Sequence, residues 1–226
     1  ERDRGRSDED PDDASRAVLA RGLRGDGGHA RRGIRAVARG LHLPVGVPVQ
    51  VKLTSRDVIH SLWIPSLHGK KDLVPGRQNE LTLEASQPGT FRGQCAEFCG
   101  QQHAKMALWV VAEAPPDFQR WLDAQRRPAS PPSSDEARRG EQLFVNGACA
   151  MCHRVAGTTA AASMGPDLTH LASRKTIGAG SLPNTRGHLG GWIVDSQAVK
   201  PGNKMPPIAL QGDELQALLT YLEGLR

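Results

Sequence analysis

The sequence predicts an all-β sandwich followed by a small all-α domain, and three observations carry that prediction. Between residues 41 and 127 apolar residues alternate with polar ones in several short runs, the period of half-buried strands. A Pro/Ser-rich stretch, RPASPPSS at residues 127–134, then interrupts the chain and reads as a polar, semi-extended linker over 128–134. Beyond it, over residues 135–226, the apolar spacing turns helical.

Residues 1–40 fit neither pattern. They are dense in Arg, Asp and Gly, and the first aromatic residue of the chain is Trp63. Low hydrophobicity with dense charge is the composition of disorder. From Leu41 the texture changes. Val47, Val49, Val51 and Leu53 alternate with polar or turn residues, and so do Leu81, Leu83 and Ala85; Met106, Leu108, Val110 and Ala112 repeat the same spacing. Turn signals at Pro75-Gly76 and Pro88-Gly89 lie between the runs. In the last segment Leu143 and Phe144 follow a charged start at Asp135. Leu215, Leu218, Leu219, Leu222 and Leu225 form one apolar helical face, with Asp213 as its expected N-cap.

The net charge of +5 is spread along the chain, which argues against a nucleic-acid partner. No apolar run reaches the roughly 18 residues of a membrane span, and no signal-peptide core is visible. The four cysteines fall into two tight pairs, Cys95 with Cys99 and Cys149 with Cys152. Such pairing points to two local sites, since a disulfide scaffold usually spreads its cysteines.

Cys149-Ala150-Met151-Cys152-His153 is the C-x-x-C-H attachment motif of c-type haem. Both sulfurs can form thioethers with the porphyrin, and His153 then ligates the iron. Of the candidate sixth ligands, Met151 lies inside the attachment loop. Met164 is close behind it in sequence and remains the alternative. Met205, in Lys204-Met205-Pro206-Pro207, leaves room for helices to cross the haem and is preferred. Met/His ligation raises the potential of the iron. A zinc half-site would want a second Cys/His pair nearby.

Cys95, Cys99, His103 and Met106 gather soft ligands into one short stretch, QCAEFCGQQHAKM. Thiolate and thioether favour copper, and a mononuclear blue-copper site uses a single cysteine. Two cysteines can bridge two coppers. His103 offers one imidazole and His60, in DVIHSLW, the other; Met106 and the carbonyl of Glu97 can cap the two metals. A Cys95–Cys99 disulfide is the alternative, and it leaves His103 and Met106 unexplained.

The segments LHLPVG, DVIHSLWIPSLHGKKDLVPGR and PGTFRGQCAEFCGQQHAKM resemble subunit II of cytochrome c oxidase in its copper A domain. GACAMCH, Gly165-Pro166-Asp167-Leu168 and the KMPP loop resemble class I cytochrome c. The resemblance implies a cupredoxin-like Greek-key sandwich fused to a cytochrome c domain. It implies a dinuclear copper A centre held by His60, Cys95, Glu97 through its carbonyl, Cys99, His103 and Met106. A haem c would be bound through Cys149 and Cys152, with His153 and Met205 axial and the backbone near Pro166 supporting His153. The Glu97 side chain would also reach a magnesium ion where subunit I docks.

The activity so implied is electron transfer. Cytochrome c or another donor feeds the haem, the copper pair follows, and the oxygen-reducing site of subunit I receives the electrons on the extracytoplasmic, periplasmic face of a bacterial membrane. A complete catalytic site is not expected in these residues. The alternative is a soluble two-centre electron carrier outside any oxidase. No role is implied for His42, His68, His170 or His188, which are expected at the surface or in turns. The family also carries a two-helix membrane hairpin and an aromatic-rich strand ahead of LHLPVG. Residues 1–40 stand in that place without an aromatic residue, and the expectations for them are a disordered arm or translation in a shifted frame of GC-rich DNA.

Overall fold

The computed structural model describes residues 40–226, together with the strand backbone of residues 18–22 and 34–35. The reading of residues 1–40 as disordered or mistranslated otherwise lies outside the described residues. Two of the strands are β1 (Val18–Gly22) and β2 (Ile34–Arg35), paired antiparallel to each other. Seven more follow: β3 (Leu41–Pro44), β4 (Val49–Leu53), β5 (His60–Ile64), β6 (His68–Leu73), β7 (Asn79–Leu83), β8 (Gly89–Cys95) and β9 (Ala107–Glu113).

These strands form a four-stranded sheet in the order β2-β1-β4-β7 and a five-stranded sheet in the order β3-β9-β8-β5-β6. The alternation read from the sequence becomes a pattern of burial. Val49, Val51 and Leu53 of β4 point inward while Gln50 and Lys52 are partly exposed. Leu41, Leu43, Leu62, Ile64, Leu81, Leu83 and Val110 join them in one apolar cluster, so both sheets contribute to a cupredoxin-like sandwich core. Each such side chain removed from water contributes on the order of 2 kcal/mol. The β3–β9 pair is parallel, and the β8–β9 and β5–β8 pairs are antiparallel.

A helix that the strand pattern did not predict, α1 (Pro115–Gln125), follows β9 directly. It opens on Pro115 and Pro116, residues suited to a first helical turn, where the missing N–H has no intrahelical acceptor. Its Trp121 stacks on His42 with ring centroids 3.9 Å apart, and His42 Nδ1 lies 2.9 Å from Glu113 Oε2. His42 is therefore a half-buried pin between β3 and α1.

After the linker the chain is helical. α2 (Asp135–Asn146), α3 (Arg186–Val194), α4 (Ser196–Val199) and α5 (Gly212–Glu223) pack beside a two-residue hairpin, β10 (Thr176–Ile177) with β11 (Leu182–Pro183). Ser134, the last linker residue, caps α2 by accepting the Ala137 N–H at 3.1 Å. The cap of α5 is Gln211, whose backbone N–H donates to Glu214 Oε2 at 2.9 Å. Asp213, the expected cap, falls in the first turn instead, where its charge still favours the helix N-terminus. Phe144, Leu189, Ile193, Leu218, Leu219, Tyr221, Leu222 and Leu225 build this second core.

His170 lies in a turn, one of the two places expected of it, but not at the surface. It is 2% exposed, and neither ring nitrogen has a hydrogen-bond partner. The turn at residues 171–173 closes over it because the Ala172 N–H is tied to the Leu225 carbonyl at 2.9 Å.

No helix among the described residues is long and apolar enough to cross a membrane.

Gly140 marks the crossing of α2 and α5. A Cβ there would press on the Ala217 carbonyl and lie 2.7 Å from the Tyr221 Cβ. Gly140→Ala should therefore cost about 2 kcal/mol through overpacking. That would lower the melting temperature of the helical domain by roughly 10 °C in a thermal unfolding experiment.

Candidate metal and haem sites

The first site grows out of strand register. β8 ends on Cys95 and β9 begins just after Met106, so the connecting loop holds Glu97, Cys99, His103 and Met106. The loop is closed at its base by the Cys95 N–H, which donates to the Met106 carbonyl at 2.9 Å. Pairing of β5 with β8 sets Leu62 opposite Cys95, and the Ala96 N–H donates to the Ser61 carbonyl at 3.0 Å. That register carries His60, at the start of β5, to the sulfur of Cys95.

Six donor groups converge there. Cys95 Sγ and Cys99 Sγ lie 3.8 Å apart, well beyond the roughly 2.05 Å of a disulfide, and both thiols are free. Around Cys95 Sγ stand His60 Nδ1 at 4.0 Å and the Glu97 carbonyl at 3.3 Å. Around Cys99 Sγ stand His103 Nδ1 at 3.7 Å and Met106 Sδ at 3.9 Å. The ligand atoms of His60, Cys95 and Cys99 all lie within 4.8 Å of one another, so they can hold a metal ion.

The surroundings orient these groups. His60 is buried, and its Nε2 lies 2.8 Å from Asp57 Oδ1. A carboxylate only accepts, so Nε2 carries the proton and the lone pair of Nδ1 faces the sulfurs. Asp57 accepts in turn from Ser55 Oγ at 3.0 Å. Burial pushes the Asp57 carboxyl up, but the hydrogen bonds from His60, the Val58 backbone and Ser55 outweigh it and hold the group below its ordinary value. Gln94 Nε2 donates to the His103 carbonyl at 3.2 Å and the Met106 carbonyl at 2.9 Å, fastening the far side of the loop. Burial first, and then the neighbouring Cys95, raise the Cys99 thiol to about 12. Two thiolates this close need a cation between them, which fits a metal with a soft, thiolate-preferring character. The roles of Asp57 and Gln94 escaped the sequence reading; Asp57 stands three residues before His60, a spacing that signals a local turn only in retrospect.

The second site lies on the helical domain. Cys149, Cys152 and His153 sit in and just after a short 3-10 turn that follows α2. His153 Nδ1 is 2.8 Å from the Pro166 carbonyl. That bond makes Nδ1 the protonated nitrogen and Nε2 the one with the lone pair. Gly165 lets the chain pass close to the ring, for a Cβ there would meet His153 Cε1 at 2.7 Å. Cys149 and Met205 pack against the same apolar cluster as Leu168, Trp192 and Ile208. Met151 and Met164 are 69% and 56% exposed. A paired set of thiols, an oriented imidazole and a thioether around one apolar core fits a haem.

Comparison with known proteins places each half. Residues 26–113 match the family described as cytochrome c oxidase subunit II, periplasmic domain, and residues 137–226 match the cytochrome c family. Cytochrome c oxidase subunit 2 of Alkalihalophilus pseudofirmus is 39% identical over 187 residues, covering 82% of this chain and 54% of that protein. The corresponding protein of Bacillus subtilis is 34% identical over 197 residues, covering 82% and 55%. The chain thus spans about half the length of these curated relatives. Among solved structures, the periplasmic domain of subunit II of cytochrome oxidase from Bradyrhizobium japonicum aligns at 35% identity over 39% of this chain and 64% of its own, with a TM-score of 0.38. The chain joins a domain of the cytochrome c oxidase subunit II family to a domain of the cytochrome c family.

Proposed function

We propose that this chain is the electron-carrying, extracytoplasmic part of subunit II of a bacterial haem–copper cytochrome c oxidase. Cytochrome c or another small donor supplies it, and subunit I, with the other membrane subunits, receives the electrons for oxygen reduction. The observation that supports this reading most is the sorting of the six donor groups. His60 and the Glu97 carbonyl stand at Cys95, while His103 and Met106 stand at Cys99. Two coppers held between these sulfurs would each have one imidazole and one weak cap. A mononuclear site would leave a cysteine and a ligand unused.

A haem would be held by Cys149 and Cys152, with His153 and Met205 as the residues that would ligate its iron. Met205 is preferred to Met164 because it packs on the core shared with Cys149, whereas Met164 faces solvent. Bound in these places, a copper pair and a haem c supply one-electron storage with no coordination position open to a substrate. The protein's part is to hold the ligands still. Asp57 and the Pro166 carbonyl orient His60 and His153, and Gln94 clamps the loop that carries His103 and Met106. The Glu97 carboxylate is exposed and faces Lys70 at 3.8 Å. So weak a surface pair leaves it available to a magnesium ion at a subunit boundary.

Metal analysis of the matured chain should give about two coppers per haem iron by the ligand count; a ratio near unity would sink the dinuclear assignment. Met205→Ala should open the iron to added cyanide or imidazole, seen as a shifted haem spectrum, while Met164→Ala should leave the spectrum as it was. Asp57→Ala should weaken copper affinity about 10- to 100-fold, the usual effect of losing a ligand's supporting partner. A chelator competition titration checks this, and unchanged affinity would remove Asp57 from the site.

A further inference from the structure

The loop that carries Met205 touches the loop that carries His103 and Met106. Lys105 Nζ donates to the Val199 carbonyl at 2.5 Å, and Gln102 Nε2 donates to the Pro201 carbonyl. The Ala107 backbone N–H donates to the Ala179 carbonyl at 2.9 Å. Each donor is a sequence neighbour of a candidate copper ligand: Gln102 precedes His103, Lys105 precedes Met106, and Ala107 follows it. A fourth fastening, Lys175 Nζ to Thr90 Oγ1 at 2.9 Å, lies farther along the same seam.

The acceptor side is stiff. Ser196 Oγ and Gln197 Nε2 both donate to the Met205 carbonyl, at 2.6 and 2.8 Å. Asn203 Oδ1 accepts the Met205 N–H at 2.8 Å, and Asn203 Nδ2 donates to the Lys200 carbonyl at 2.7 Å. The segment bearing Met205 and the carbonyls of Val199 and Pro201 is therefore one hydrogen-bonded unit. Ala179 sits between Gly178 and Gly180 in the tip of the β10–β11 hairpin, with φ values of 57°, 61° and 77° respectively. Ala179 is the one non-glycine residue among those described that holds a left-handed backbone. This turn aims the Ala179 carbonyl at β9. Lys200, buried at 7% exposure, donates to the Gly178 carbonyl at 3.3 Å and so ties the hairpin to the Met205 loop. The fit is close. A Cβ on Gly180 would lie 3.0 Å from the Ala107 Cβ, and one on Gly202 would lie 2.5 Å from Gln101 Oε1.

We propose that the 178–180 turn and the 199–202 loop are a built-in docking face that seats the haem-binding domain on the copper loop and holds the two sites at a fixed separation. The proposal rests on the copper and haem reading above. It turns the linker from a swinging tether into a mere covalent connection between halves that are already docked. One electron lost by the reduced haem is then the one gained by the copper pair, with no proton or bond exchanged across the seam.

The test uses the full chain with both centres loaded, each verified first by the copper resonance and the haem c bands. Gly180→Leu wedges the hairpin side of the seam. Separately, Gln102→Ala with Lys105→Ala removes the side-chain donors without touching the backbone. Hydrogen exchange at the Ala107 amide should quicken about tenfold in the wedge variant. In both variants, electron passage after photoreduction of the haem should slow by a similar factor, while the copper resonance stays as it was. Lengthening the linker by about thirty Gly/Ser residues should leave the rate unchanged, whereas a free tether would lose about tenfold through its lower effective concentration. Unaltered exchange and rates in both seam variants, or a rate that falls with linker length, overturns the docking face and spares the site assignments. Absence of either centre from the unmodified chain overturns the assignments and the docking face with them.

Discussion

The first site depends on two backbone hydrogen bonds. The Cys95 N–H meets the Met106 carbonyl at 2.9 Å, and the Ala96 N–H meets the Ser61 carbonyl at 3.0 Å. These bonds close the β8–β9 loop at its neck and fix β5 against it. A strand slipped by one residue would turn every side chain to the other face, and His60 would leave the sulfurs for the opposite side of the sheet. Register is held because Leu62 and Ile64 of the same strand belong to the buried core. The apolar core therefore positions the polar site: the cluster that stabilises the sandwich also sets which residue faces Cys95.

Charge is the second constraint. Burial first, and then the Cys95 sulfur 3.8 Å away, oppose the charge on Cys99 and raise it. Asp57 is committed to His60, and Lys200, a cation that acts on Cys99, is itself lowered, first by burial and then by Lys105. The site is built to be completed by an added cation. Its oxygen and nitrogen groups are arranged for orientation, while the sulfurs are left to meet the metal.

Short motifs and strand periodicity were legible in the sequence because both are local. The alternation of Val49, Val51 and Leu53 reports one strand's two faces without reference to any partner, and C-x-x-C-H needs only five consecutive residues. What stayed hidden depends on distant neighbours. His42 looked like a surface residue until α1 brought Trp121 over it. His170 is in a turn, but its burial depends on Leu225, just past the end of α5, closing over that turn. Gln211 displaced Asp213 as a cap because Glu214 could reach back to its N–H, a choice between adjacent polar residues that composition does not rank. The seam between the domains was invisible for the same reason. Three of its four acceptors are backbone carbonyls, which every residue has, and only the folded path of the chain aims them.

Side-chain ion pairs across the seam would make the docked state sensitive to salt, because exposed charges are screened within about 10 Å at moderate ionic strength. Lys105, Gln102 and Ala107 instead donate to carbonyls presented by a hairpin and a loop that are stiff on their own account. Little conformational freedom remains on the acceptor side to be lost on docking, and a side chain fixed by contact gives up roughly 1 kcal/mol of entropy at most positions. The left-handed backbone at Ala179 is strain the hairpin already carries when folded. Once Gly178 and Gly180 allow that turn, seating the domain asks only for the alignment of surfaces that are already formed.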